Sequence, residues 1–186
     1  LIQNVVTVID LGDTAEPDNR YRGTGVGAHI RATEEPGVYR EHWPLDAHGR
    51  RINGMYLLYS ADGLNWKYFQ DSPVNFSQDS AYLVFDKPRN RFLASVKLEI
   101  RERHYDRRSH ALLSSVDGFQ WDTPRVTLVA DERDDAIARD RGFVWADFQN
   151  IGMFPTRDVL IGFLEVSNYY DGFYRGKPHG QRIGFY

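Results

Sequence analysis

The chain of 186 residues contains no cysteine, so its fold rests on neither disulfides nor thiolate-bound metal, and thiol catalysis is excluded. An excess of one charge is also missing. Lys+Arg 23 against Asp+Glu 26 leave a formal net charge of −3, which gives no long-range field for collecting phosphates, and nucleic acid is not expected as a ligand. No apolar run approaches the roughly 20 residues of a membrane-crossing helix, so no membrane span is expected. Leu1 to Val8 lack the basic region and small-residue cleavage site of a signal peptide, so any export signal has been removed or never existed.

Several catalytic patterns are absent too. The histidines, His29, His42, His48, His104, His110 and His179, show neither His-x-x-x-His nor His-Glu-x-x-His spacing, and no zinc site is expected. Gly23-Thr24-Gly25-Val26-Gly27 lacks the Gly-Lys-Ser/Thr that completes a phosphate loop, and no Gly-x-Ser-x-Gly presents a serine nucleophile. Asp131-Glu132-Arg133-Asp134-Asp135 departs from the Asp-x-Asp-x-Asp-Gly calcium pattern and has Arg133 and Arg139 beside it. No cofactor or metal is expected; a calcium ion or water in a central channel, with His29 as an axial partner, is the alternative.

What is present is aromatic and glycine-rich: 14% aromatic residues, with Tyr 11, Phe 11, Trp 4 and Gly 16. Flat rings pack well on pleated surfaces, so an all-β fold is expected. Two segments are near copies, Tyr59-Ser60-Ala61-Asp62-Gly63-Leu64-Asn65-Trp66 and Ser114-Ser115-Val116-Asp117-Gly118-Phe119-Gln120-Trp121. Each joins two strand-like runs through Asp-Gly, where glycine accepts positive φ. Asp62, Gly63, Trp66, Asp117, Gly118 and Trp121 are read as structural: the aspartates accept backbone N–H bonds, and the tryptophans fill wedges between modules.

A second register repeats. Asp79 precedes Ala81-Tyr82-Leu83-Val84-Phe85 and Asp147 precedes Gln149 to Phe154, each followed by a turn and a further strand. The unit is a four-stranded antiparallel meander, and its length suits the blades of a β-propeller. About three blades are expected in a single domain over 1–186: blade 1 over about 20–75, blade 2 over about 76–130 and an incomplete blade 3 over about 143–186. Gly23 to Ile30 and Val38 to Pro44 are expected as the inner strands of blade 1. Propellers close with roughly 4 to 8 blades, so the remainder is expected from the rest of the gene or from another chain, with a Ser-x-Asp-Gly-x-x-Trp turn next after Tyr186.

The turns Ser60 to Trp66 and Ser115 to Trp121, with Asp79, Phe85-Asp86-Lys87-Pro88 and Leu128 to Asp135, resemble the five-bladed β-propeller glycoside hydrolases, in a branch allied to families 32 and 43. The resemblance covers roughly Asn53 to Tyr186. It implies a carbohydrate substrate, cleavage of a glycosidic bond by a carboxyl pair, and a secreted or periplasmic location.

Glycoside cleavage needs one carboxyl to protonate the leaving oxygen and another, ionised, about 5 to 9.5 Å away. Equivalent blade starts converge on a channel, which makes Asp79 and Asp147 candidates. Glu165 is a third, because strand alternation places its charge among Val159, Ile161 and Phe163. The resemblance gives Glu165 the acid role and Asp79 or Asp147 the partner role. Trp145, beside Asp147, is a candidate sugar platform. Glu99 to Arg108 reads as a solvated loop between strands; the resemblance implies that Arg101 and His104 could reach a sugar from it, and an arginine fork suits an acidic one. The competing reading is a noncatalytic propeller that binds glycan or protein, or an assembly module whose uncovered blade faces need partners.

Overall fold

The computed structural model describes residues 4–12, 15–26, 29–32, 39–42, 54–70, 73–77, 79–102, 105–169 and 181–185. Its strands are β1 (Asn4–Asp10), β2 (Tyr21–Val26), β3 (His29–Ala32), β4 (Tyr39–His42), β5 (Gly54–Ser60), β6 (Lys67–Tyr68), β7 (Asn75–Phe76), β8 (Ala81–Asp86), β9 (Arg91–Glu102), β10 (Tyr105–Ser115), β11 (Arg125–Val129), β12 (Trp145–Pro155), β13 (Leu160–Tyr169) and β14 (Gln181–Phe185). The expected all-β character holds, with one α-helix, α1 (Glu132–Asp140), among the described residues. Asp131 and Asp134 close a reciprocal capping box at the start of that helix.

The strands form antiparallel meanders. The first sheet runs β1-β2-β5-β6, with β7 also on β5; the second runs β8-β9-β10-β11; the third runs β12-β13-β14; and among the described residues β3 and β4 pair with each other alone. The first sheet therefore begins earlier than the 20–75 span expected. Its opening strand is the β-branched run Asn4–Asp10, paired with β2 from Asn4↔Val26 to Asp10↔Tyr21. Of the segments expected as inner strands, Gly23–Val26 belongs to β2, which pairs directly with β5 from Tyr21↔Ser60 to Val26↔Met55, whereas His29, Ile30 and Tyr39–His42 belong to the β3–β4 hairpin that lies between β2 and β5 in the chain.

The Asp-Gly turns have the expected chemistry. Asp62 Oδ1 accepts the Leu64 and Asn65 N–H groups at 2.9 and 2.7 Å, while Ser60 Oγ accepts from Gly63 N at 2.9 Å. Asp117 and Ser115 repeat this with Phe119, Gln120 and Gly118, each at 2.8 Å. Gly63 and Gly118 take φ of 74 and 78°. The Trp66 ring lies over Gly23 of its own sheet, and Trp121 packs against the main core.

The second sheet lies between the other two. One of its faces carries Ala94, Val96, Ala111 and Leu113, which join Val26, Met55, Ala81, Leu83 and Phe92 in the buried core shared with the first sheet. The small Ala81, Ala94 and Ala111 let the sheets approach, and two side-chain bonds stitch the contact: Thr24 Oγ1 donates to the Ala81 carbonyl at 2.8 Å, and Leu83 N–H donates to Thr7 Oγ1 at 3.2 Å. Alternation turns Ser95, Lys97, His110 and Leu112 to the opposite face, where His110 stands directly across from Lys97. The opening strands of the three sheets are neighbours, β1 against β8 and β8 against β12.

Candidate functional site

The polar half of the second sheet's other face meets the start of β12. Lys97, 1% exposed, contacts the carboxylate of Asp79, which lies just before β8 and is itself exposed. Burial lowers the Lys97 ammonium below its usual range and Arg108 adds to this, while Asp79 and Asp147 pull it back up. His110 sits beside it with Nδ1 3.1 Å from Ser95 Oγ. Burial and the Lys97 charge push this imidazole down to about 4, so it is neutral at physiological pH.

Asp147, the third residue of β12, is fully buried. Its Oδ1 accepts the Phe148 N–H at 3.1 Å, Oδ2 lies 3.7 Å from an Arg108 guanidinium nitrogen, and Oδ2 has no hydrogen-bond partner among the described residues. Burial raises this carboxyl to about 7, against the opposing pull of Arg108, Arg107 and backbone N–H groups. Arg108 also donates to the Tyr169 hydroxyl. The ring of Tyr169 stacks on Trp145 at 4.3 Å.

Glu165 shares this face of the third sheet. Asp147 pairs with Ser167 and Glu165 is two residues before Ser167 on β13, so both carboxyl side chains leave the same side, with a β-bulge between them on β12. The bulge keeps Asp147 in step with Asp79 although the turns that follow β8 and β12 lie one residue further apart than the two aspartates do. Glu165 is half-buried and accepts a 2.6 Å hydrogen bond from Asn150 Nδ2. Its charge reaches Tyr82 on β8, where burial and Glu165 together raise the phenol. The three sequence-derived carboxyls thus gather around the β8–β12 junction: Asp79 in solvent, Glu165 part-covered and Asp147 enclosed.

Other expectations fare differently. Trp145 is 0% exposed, with Tyr169 on its ring and the Arg107 guanidinium 5.6 Å from its centroid, so both neighbours occupy the faces a sugar would need. The described part of Glu99 to Arg108 is strand rather than loop: Glu99–Glu102 belong to β9 and Tyr105–Arg108 to β10, with Glu99↔Arg108 and Arg101↔Asp106 paired. Arg101 is therefore a strand residue, and His104 lies outside the described residues. The acidic run after Leu128 is occupied structurally. Asp131 and Asp134 cap α1, and Asp135 takes two bonds from Arg107 at 2.9 and 2.5 Å plus the Ala146 N–H at 3.0 Å.

Lys97, Arg107, Arg108 and His110 were not singled out from the sequence as site residues. The available signal was a lone lysine inside Phe92-Leu93-Ala94-Ser95-Val96-Lys97-Leu98, a charge in an otherwise small and apolar strand. Arg107 and Arg108 were masked by the surrounding charges. No group of three or more His, Asp or Glu side chains among the described residues is arranged to hold a metal ion. No helix among them is long and apolar enough to cross a membrane. No protein-family model matches the chain, and no curated protein or solved structure matches it.

Proposed function

We propose that the chain contributes about three blades of a five-bladed β-propeller that cleaves glycosidic bonds, with Glu165 as general acid and Asp79 as the ionised partner. The observation that carries this reading is the approach of Asp79 and Asp147, from separate chain segments, to the buried Lys97 and the half-buried Arg108, with Glu165 on the same face of the third sheet as Asp147. Asp79 and Glu165 are the accessible members. Asp147 cannot touch substrate from its enclosed position and acts as a positioning residue, setting how much negative charge Lys97 and Arg108 must balance. The meander order of the second sheet and the adjacency of β1, β8 and β12 are what a common hub requires.

In hydrolysis the Glu165 proton passes to the glycosidic oxygen as its bond to the anomeric carbon breaks, and the new bond at that carbon comes either from a water whose proton Asp79 accepts or from the Asp79 carboxylate, which water then displaces while Glu165 takes back a proton. Asp79→Asn and Glu165→Gln are each expected to reduce kcat by several orders of magnitude with substrate binding retained. Assayed on chromogenic aryl glycosides and on polysaccharides, near-wild-type turnover in either variant removes that residue from the mechanism.

One observation favours the second reading, a noncatalytic assembly module. Phe154, Ile161 and Phe163 stand exposed on one face of the third sheet, Phe163 at 70%. A further blade, from the same gene or another chain, would cover that face; inert carboxylates combined with association through Phe163 would select assembly over hydrolysis.

A further inference from the structure

We propose that a cleft between the first and second sheets, at the far end of β8 from the carboxylates, binds one neutral sugar ring through Arg22. The cleft has a volume of about 280 Å³ and is lined by Arg22, Asn19, Asn90, Glu16 and Asp117, with Phe85 and Phe92 among its apolar walls. Asp79 leads into β8 whereas Phe85 and Asn90 stand at its other end, so about 20 Å of strand separates the two places.

Arg22 is the reason to expect a ligand. The residue is 9% exposed, and its guanidinium carbon lies 4.0 Å from the Phe119 ring centroid and 5.9 Å from that of Phe92. Its Nε is buried with no hydrogen-bond partner among the described residues. Asp117 acts on it through charge, with no hydrogen bond between the two, and Asp117 Oδ1 accepts instead from Ser115 Oγ and the Phe119 and Gln120 N–H groups. A desolvated cation left without an ion pair is costly, and what exposure remains opens on the cleft.

The surroundings decide the chemical class. With one cation against the carboxylates of Glu16 and Asp117, the cleft disfavours an anion. It asks for groups that accept from a guanidinium and donate to carboxylates, on a body with an apolar face for phenyl rings. Sugar hydroxyls both donate and accept, and the C–H face of the ring meets the aromatic walls. The volume falls below the roughly 300 to 1,000 Å³ of drug-sized pockets, which limits the ligand to a single ring.

The test is saturation-transfer NMR on the full chain with the methyl glycosides of common hexoses and pentoses. At least one is expected to bind, to weaken about ten- to hundredfold in Arg22→Met, which keeps the stem but removes the donors, and to resist competition by acetate or phosphate. Asn90→Gly, at a left-handed backbone position (φ 46) that glycine accepts, removes only the amide and is expected to weaken the same glycoside. Binding unchanged in both variants overturns the proposal, as does displacement by acetate or phosphate, or the absence of any glycoside signal. Since the cleft does not need the carboxylate site, a chain that hydrolyses nothing yet binds through Arg22 refutes hydrolysis and supports this site. Hydrolysis without Arg22-dependent binding does the reverse.

Discussion

Replacing Asp147 by asparagine keeps the shape of the buried side chain and deletes its titration. In the folded chain the carboxyl ionises near 7 rather than at its ordinary 3.8. The unfolded chain therefore releases a proton near pH 4 that the folded chain keeps. Stability must fall as pH climbs between the two values and level off above 7. The full difference of about three pH units corresponds to something on the order of 4 kcal/mol, and the part lying between about pH 5 and pH 8 to about 3 kcal/mol. His110 works in the opposite sense. Its folded value is lowered to about 4 from 6.5, so folding excludes a proton, and its contribution grows as pH rises through that window. The two trends offset one another in the wild type up to about pH 6.5, beyond which only the Asp147 decline remains. Asp147→Asn keeps the His110 rise alone. Urea unfolding at several values from about pH 5 to pH 8 should find the variant gaining on the wild type as pH increases. Parallel profiles would mean that Asp147 ionises normally, and the account of an enclosed, incompletely neutralised carboxyl would have to be abandoned.

Further expectations follow from the same packing. Arg107→Met leaves Asp135 buried opposite no cation and should cost about 3 to 5 kcal/mol in denaturant unfolding, with much of the loss recovered by adding Asp135→Leu. Gly63→Ala and Gly118→Ala both force alanine into left-handed backbone, worth about 1 to 2 kcal/mol. The new Cβ at 118 also meets the Phe92 ring at 3.0 Å, against 3.6 Å from Tyr21 at position 63, so Gly118→Ala should be the more damaging; equal costs would contradict that contact. Phe163→Ser should change monomer stability by no more than about 0.5 kcal/mol. It should reduce concentration-dependent association by light scattering, and a large loss of stability would mean that the ring is not exposed in solution.

Local chemistry was the most legible part of the sequence. Asp-Gly turns declare themselves because the chain needs positive φ at Gly63 and Gly118 and an acceptor two to three residues before the unpaired N–H groups. The second sheet was legible for the same reason: its turns are short and its strands are consecutive. The first sheet was harder, since the hairpin β3–β4 interrupts β2 and β5 and no local pattern reveals which runs pair across an insertion. The repeated register singles out Asp79 and Asp147 and strand alternation singles out Glu165, but neither pattern points to Lys97 and Arg108. Lys97 and Arg108 matter through contacts with residues 18 and 39 positions away, Asp79 and Asp147, and only the third dimension supplies that proximity. Trp145 illustrates the converse: an aromatic beside a candidate acid suits a sugar, yet its ring is enclosed by Tyr169, which the sequence leaves 24 positions distant.

The two faces of the second sheet explain why the carboxyls gather where they do. Alternation along β9 and β10 sends Ala94, Val96, Ala111 and Leu113 toward the first sheet and Ser95, Lys97, His110 and Leu112 toward the third. An apolar face can be closed by packing alone, whereas a face bearing Lys97 and His110 must find counter-charge or stay hydrated. Asp79 supplies it from the lead-in to β8, and Asp147 lies on the β12 side. The arrangement is incompletely balanced, since burial still lowers the Lys97 ammonium and raises the Asp147 carboxyl. Nearby, Arg107 and Asp135 are joined by two short side-chain bonds, the geometry of a structural ion pair. Asp147, raised to about 7 by burial, holds a proton that can move near neutral pH. Arg107 with Asp135 fastens α1 to β12, whereas Asp79 and Glu165, with Lys97 and the enclosed Asp147 beside them, mark the place where chemistry is to be sought.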